Sequence, residues 1–413
     1  MGSSCSATKG QGQKEYVLRP AEPAVVNAVN RTGLELLHVL LADKGTVLNS
    51  PVSLVTPLTI AALGSQGETQ AGILRAIGAG AFLDSPNGWA EKVRDVVGGL
   101  VSSDPKVTVL NKSAIFSERL APSFVKSNAA ADIELQKKPP KVADVNAWCK
   151  SATKDKIPEI LDNSTPIADD STVILNALYF KGEWKDRFDE SLTRDGEFQG
   201  ESGKMPCKMM MAKGVDGKFL YCETDTYQAA ALPYGKGGHF SAVIVLPRGD
   251  SKPTISSFGG EAIPGKAAAP REAALDEVLK SLPDDWASLA NPAESGSKLA
   301  QMKGALHFPR FKVDFKASLK EQLQSRGMTA AFTPEANFSV MLDSKAQVTD
   351  VLQRVTLEVD EVGSVAAAAT AVVVSRGIVM EPSFSMTCDR PFIFAIRSSV
   401  SNAILFAAAV RAV

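Results

Sequence analysis

Residues 173–188 read VILNALYFKGEWKDRF. In the opening run both alternating sets are apolar apart from one residue: Val173, Leu175 and Ala177 on one side, Ile174 and Leu178 on the other. Such a run is a strand buried on both faces. The exception is Asn176, a single amide among hydrocarbons, and a buried amide needs hydrogen-bond partners. The chain is thus committed to a sheet covered on two sides that must also supply partners for one buried amide.

A second string, EVDEVGSVAAAATAVVVSRG at residues 358–377, joins an acidic turn and one Gly to small and β-branched residues ending in a basic site. From Ser364 to Val374 it carries neither charge nor bulk, so it can slide between two existing strands without a steric or desolvation penalty. Alanine favours helix, so AAAATA alone also reads as a buried helix or a low-complexity linker. The strand-forming residues 372–374 and the polar tip Ser375, Arg376 and Gly377 favour a loop suited to a protease cleft. A trypsin-like enzyme would cut the Arg376–Gly377 bond.

Residues 49–69, NSPVSLVTPLTIAALGSQGET, predict a helix with Ser50 as N-cap, Pro51 where a missing N–H costs nothing, and Gly64 as the stop. Pro57 lies inside it and is expected to kink it. Residues 146–161 read NAWCKSATKDKIPEIL, with Asn146, Trp148, Thr153, Lys156 and Ile157 at a specific spacing. These segments, the Phe-Lys-Gly-x-Trp-x-x-x-Phe motif at 180–188, Ala231-Leu232-Pro233-Tyr234, residues 242–247 (AVIVLP), residues 305–341, Asp389-Arg390-Pro391-Phe392 and residues 402–406 together resemble the serpin family, suicide inhibitors of serine proteases. The likeness runs over nearly the whole chain.

That resemblance implies an α+β serpin fold: a central, mostly antiparallel five-stranded sheet, two further sheets, about eight to nine helices and an exposed reactive-centre loop at 363–382. A flexible polar segment at 1–20 and one domain over 21–413 are expected. Residues 248–274, rich in Gly, Ser, Pro and Ala, read as an extended surface loop. Asn176 is expected in a polar cluster, the shutter, with Ser50, Ser53 and Gln353, the last standing where the family usually has His. A Gln does not titrate near neutral pH, so pH-gated opening by this route is not expected. Glu361 is expected to pair with Arg310 near Trp184 at the top of the sheet, the breach. The loop hinge is expected in Gly363, Ser364, Ala366, Ala367, Ala368, Ala369 and Thr370. Val365 departs from the family's usual Glu and puts an apolar side chain on the outer face, favouring loop-sheet exchange between copies.

The resemblance further implies cleavage in the loop, insertion of its N-terminal side as a new central strand, and a covalent 1:1 complex with the protease. The family's common loop length places the specificity residue at Gly377, and a loop one residue shorter selects Arg376, whose guanidinium suits a pocket carboxylate. Arg376 and a trypsin-like target are the expectation; an elastase-like enzyme reading Val374 or Val379, and a non-inhibitory binding protein or chaperone, are the alternatives.

With 45 basic and 46 acidic residues and a net charge of −1, nothing points to nucleic acid. The three histidines, His38, His239 and His307, are isolated from one another and lack metal-ligand spacing, and no Gly-x-Ser-x-Gly, HExxH or phosphate-loop motif occurs. Catalysis, a metal and a cofactor are therefore not expected, and His38, in an apolar helical run, reads as structural. Five cysteines, Cys5, Cys149, Cys207, Cys222 and Cys388, are an odd, sparse set that suggests reduced thiols. The start, MGSSCSATKG, is too polar for a signal peptide and fits myristoylation at Gly2 with palmitoylation at Cys5, or else an accidental match or cloning remnant. A cytoplasmic or lipid-anchored monomer is the expectation, with leaderless secretion as the other route. The sequons at Asn30, Asn111, Asn163 and Asn337 matter only to an exported chain.

Overall fold

The computed structural model describes residues 20–100, 104–128, 133–162, 164–212, 218–248, 271–290, 296–364 and 384–413. Eight α-helices lie among them. Four position the site or bear on the sequence expectations: α1 (Pro23–Leu40), α2 (Pro51–Leu63), α3 (Val142–Ala152) and α4 (Arg271–Asp285). The central sheet is built from β1 (Val107–Phe116), β2 (Glu134–Gln136), β3 (Thr172–Glu183), β4 (Phe311–Ser318), β5 (Val348–Val359) and β6 (Gly363–Ser364), in the order β4-β5-β6-β3-β1-β2.

The sheet thus has six strands where five were expected, the sixth being the two-residue β6. Its middle pair is parallel: β5 runs beside β3 from Val348↔Thr172 to Thr356↔Tyr179. Above that point β6 stands between them, antiparallel to both, with Ser364 opposite Val359 on one side and Gly182 on the other. A parallel pair is slightly less stable per residue than an antiparallel one, so this seam is where a further strand gains most.

Both faces of β3 are covered, as its sequence requires. Val173, Leu175 and Ala177 pack under α3 against Val145, Trp148 and Cys149. Ile174, Leu178 and Phe180 face the larger core, which includes Val55 and Leu58 of α2. Helix α2 starts where its caps predict, with the Ser50 side chain accepting from the Ser53 N–H and Gly64 at the C-cap. The helical assignment runs unbroken through Pro57, whose ring is buried.

The two further sheets are joined into one of ten strands through the strand Ala300–Pro309. Its first half pairs with Lys218–Glu223, its second with Gly203–Ala212 and with Phe384–Thr387. Two boundaries differ from the sequence expectation. The surface loop was read to residue 274, yet α4 begins at Arg271, because Arg-Glu-Ala-Ala-Leu are strong helix formers that composition averaging hides. The exposed loop was read from Gly363, yet Gly363 and Ser364 are buried in the sheet. The rest of the expected loop, including Val365, Ala366, Ala367, Ala368, Ala369, Thr370, Arg376 and Gly377, lies outside the described residues, as do Gly2 and Cys5.

Candidate functional site

Two polar clusters border the seam between β3 and β5, one beneath its middle and one at its upper end. The lower one starts from the cap of α2. The Ser50 hydroxyl donates to the Ser53 hydroxyl at 2.6 Å, and the Ser53 hydroxyl donates to Asn111 Oδ1 at 2.9 Å. Asn176 Nδ2 donates to that same oxygen at 3.0 Å and to the Ser113 hydroxyl at 3.1 Å. From β5, Gln353 Oε1 accepts from the Ser50 N–H at 3.2 Å. Gln353 sits in register with Asn176 across the parallel pair. The structure therefore brings Ser50, Ser53, Asn176 and Gln353 together, all buried.

The link between helix and sheet is Asn111, which sequence reading treated only as a sequon. The available signal was the polar pair Asn111 and Ser113, two apart and so on one face of the strand β1. Asn30, in another sequon, is likewise structural: it donates to the Asn402 carbonyl at 2.9 Å and is buried.

The upper cluster is built around a tight turn at residues 360–363. The Asp360 carboxylate accepts from the Val362 N–H at 2.9 Å and the Gly363 N–H at 3.1 Å. Burial pushes the Asp360 carboxyl above its ordinary value, against those two bonds. Glu361, 3% exposed, pairs with the Arg310 guanidinium at 2.7 Å. Trp184 donates its indole N–H to the Asp360 carbonyl at 2.8 Å, and its backbone N–H to the Val362 carbonyl at 2.8 Å. Glu361, Arg310 and Trp184 are thus gathered around this turn.

Gly363 of β6 and Gly182 of β3 are diagonal neighbours, Gly363 standing opposite Glu183 and Ser364 opposite Gly182. A Cβ on Gly363 would overlap the Gly182 carbonyl oxygen. One on Gly182 would come within 2.7 Å of the Phe180 ring and 2.8 Å of Tyr234. The entry to the seam is therefore a slot two glycines wide, and a strand with small side chains fits it.

Elsewhere, Cys149, Cys207, Cys222 and Cys388 are free thiols. Burial pushes Cys149 up to about 12 and Cys222 up to about 11, so both stay protonated near neutral pH. Among the described residues no group of three His, Cys, Asp or Glu side chains is placed to hold a metal ion. No described helix is long and apolar enough to cross a membrane.

The family model described as "Serpin (serine protease inhibitor)" matches residues 27–412. The chain is a serpin. Serpin B8 of Bos taurus is 31% identical over 378 residues, 87% of this chain and 91% of the relative. Iripin-5 of Ixodes ricinus is 29% identical over 404 residues, 93% of each. Among solved structures, the native state of tengpin, a thermophilic serpin, superposes with TM-score 0.76 at 25% identity, covering 97% of this serpin and 96% of tengpin. Thyroxine-binding globulin in complex with thyroxine shares the fold alone, with TM-score 0.74 at 18% identity over 94% of this serpin and 98% of that chain. The family is one of protease inhibitors rather than enzymes, and its members typically bind target proteases.

Proposed function

We propose that this serpin is an irreversible suicide-substrate inhibitor of trypsin-like serine proteases, cleaved between Arg376 and Gly377, and that it is not an enzyme. The observation that carries the reading is the seam itself: Gly363 and Ser364 lie between β3 and β5 at its upper end, and below them β3 and β5 pair directly with each other in parallel. The sequence that follows Ser364, VAAAATAVVVS, is small and uncharged, as an inserting strand must be.

The protease serine oxygen attacks the Arg376 carbonyl carbon. The bond to the Gly377 nitrogen breaks, that nitrogen leaves as an amine with the proton, and Arg376 remains as an ester on the serine. The freed segment 365–376 then follows Ser364 into the seam as a strand antiparallel to both neighbours, carrying the acyl-linked protease away before water cleaves the ester. The product is a covalent 1:1 complex. Lipidation at Gly2 and Cys5 would place the inhibitor at a membrane, and the protein acts as a monomer that can polymerise by loop-sheet exchange.

The second reading, a serpin that binds a ligand and never inserts its loop, draws on the shared fold of thyroxine-binding globulin. The alanine hinge weighs against it. Incubation with trypsin and a denaturing gel separates the two. A band near the summed masses, with a released fragment starting at Gly377, is the expected result. Clean cleavage without that band would leave the binding-protein reading, and a fragment starting at another residue would move the reactive bond.

A further inference from the structure

The first side chain of the hinge is held by a hydroxyl pair inside the sheet. Ser364 has no exposed surface, and its Oγ lies 2.9 Å from the hydroxyl of Tyr234, which is also fully buried. Each hydroxyl both donates and accepts, so the two satisfy one another in a place closed to solvent. Burial pushes the phenol upward, which keeps its proton on throughout the pH range of a folded protein.

The ring that carries this hydroxyl is fixed on two sides. It stacks on Trp184 at 4.3 Å between centroids, 14° from parallel, and meets Phe180 edge-on at 5.0 Å. Trp184 in turn bonds the Asp360 carbonyl, at the turn from which β6 departs. One rigid aromatic pair thereby holds both the turn and the first inserted side chain.

We propose that Tyr234 is a positioning residue for insertion: its hydroxyl latches Ser364 in β6 before any bond is cut, so the new strand grows from a formed first rung. Ordering the first residues of a strand costs chain entropy before later rungs offset it. With the latch closed, that step is complete in the uncut protein and does not compete with hydrolysis of the acyl ester. The consequence for inhibition rests on the inhibitor reading above; the latch itself does not.

The test compares the full-length wild type, Tyr234→Phe, Ser364→Ala and the double variant. Phe keeps the ring on Trp184, and Ala at 364 only trims a buried hydroxyl, so the two singles reach the same bond from opposite ends. Hydrogen exchange of the 359–364 peptide in uncut protein is expected to quicken about fivefold in each single, the size of one lost hydrogen bond, with no further rise in the double. Wild-type exchange in both singles, or effects that multiply in the double, would overturn the latch. In trypsin reactions Tyr234→Phe is expected to raise the ratio of cleaved product to covalent complex; an unchanged ratio beside quickened exchange would overturn its role in insertion. Absence of any complex with the wild type, together with the expected exchange pattern, would sink the inhibitor reading and leave the latch standing.

Discussion

Asn111 is the residue on which helix and sheet depend together. Its carboxamide oxygen takes one hydrogen bond from Ser53 of α2 and another from Asn176 of β3. Removing that oxygen strands the Ser53 hydroxyl, which has no exposed surface, at a cost of about 1–3 kcal/mol, while Asn176 Nδ2 keeps the Lys112 carbonyl and the Ser113 hydroxyl as acceptors. Asn111→Ala is therefore expected to lower stability by about 1–3 kcal/mol, read as an earlier denaturant midpoint with the native fold retained at low denaturant. Asp360 carries a charge with the opposite consequence. Burial raises its carboxyl above the ordinary value of 3.8. The folded state then binds its proton more tightly than the unfolded chain, so its contribution is fully present below the ordinary value and is lost as pH rises through the raised one. At neutral pH the half-buried carboxylate is a burden, although its oxygens hold the turn. Asparagine keeps an acceptor for the Val362 and Gly363 N–H groups and carries no charge. Asp360→Asn is expected to melt higher than wild type at pH 7, with the gap closing at acid pH, below the ordinary carboxyl range; a lower melting point at pH 7 would mean that the charge itself holds the turn.

At the scale of elements, the governing contrast is between β3, whose residues fix its place, and the hinge, whose residues permit two. Two-sided burial of β3 was legible because period-2 patterning shows directly which faces are apolar. The start of α2 was legible from Ser50 and Pro51, since capping is a local rule. Gathering of the shutter and breach residues was legible only through resemblance, because Glu361 and Arg310 are 51 positions apart and no local pattern joins them. Docking of Gly363 and Ser364 was not legible: it depends on Gly182 and Tyr234, distant in sequence, leaving a slot of the right width. Asn111 was missed because one residue served two readings. The continuation of β6 gives an element-scale prediction. A strand between β3 and β5 must donate its N–H groups to both neighbours in turn, and proline cannot donate. Ala367→Pro is expected to leave the uncut protein's melting point unchanged and to turn it into a trypsin substrate, with cleaved chain replacing covalent complex on a denaturing gel. Undiminished complex formation would show that insertion does not pass through residue 367.

For the whole molecule, the proposed inhibitor reading makes the native state a stable arrangement but not the lowest one. Filling the seam with segment 365–376 replaces the parallel β3–β5 pairing with two antiparallel ladders and buries the valines at 372–374. A dozen residues at about 1 kcal/mol net per hydrogen bond, plus that apolar burial, release on the order of 10–20 kcal/mol, as much as the entire stability of an ordinary domain. Serpins are themselves the familiar case of a loop entering a sheet, and the size of the effect in this chain follows from the length and composition of its own segment. On that reading the uncut protein holds back from the filled state because the segment 365–376 is tethered at both ends, with Gly363 and Ser364 held in β6 on one side, and on the other Phe384–Thr387 fastened in parallel to the strand Ala300–Pro309 and Phe384 stacked on Tyr221 at 3.8 Å. Cutting anywhere near Arg376 releases one tether. Protein nicked there by a protease that is then removed is expected to melt about 10 °C or more above the uncut form, since about 10 kcal/mol acts on a chain of this length at roughly 1 °C per kcal/mol. Calorimetry on the two forms in one buffer decides it. Equal melting points would mean that the cut loop stays outside the sheet, and the energy needed to trap a protease would then have no source in this fold.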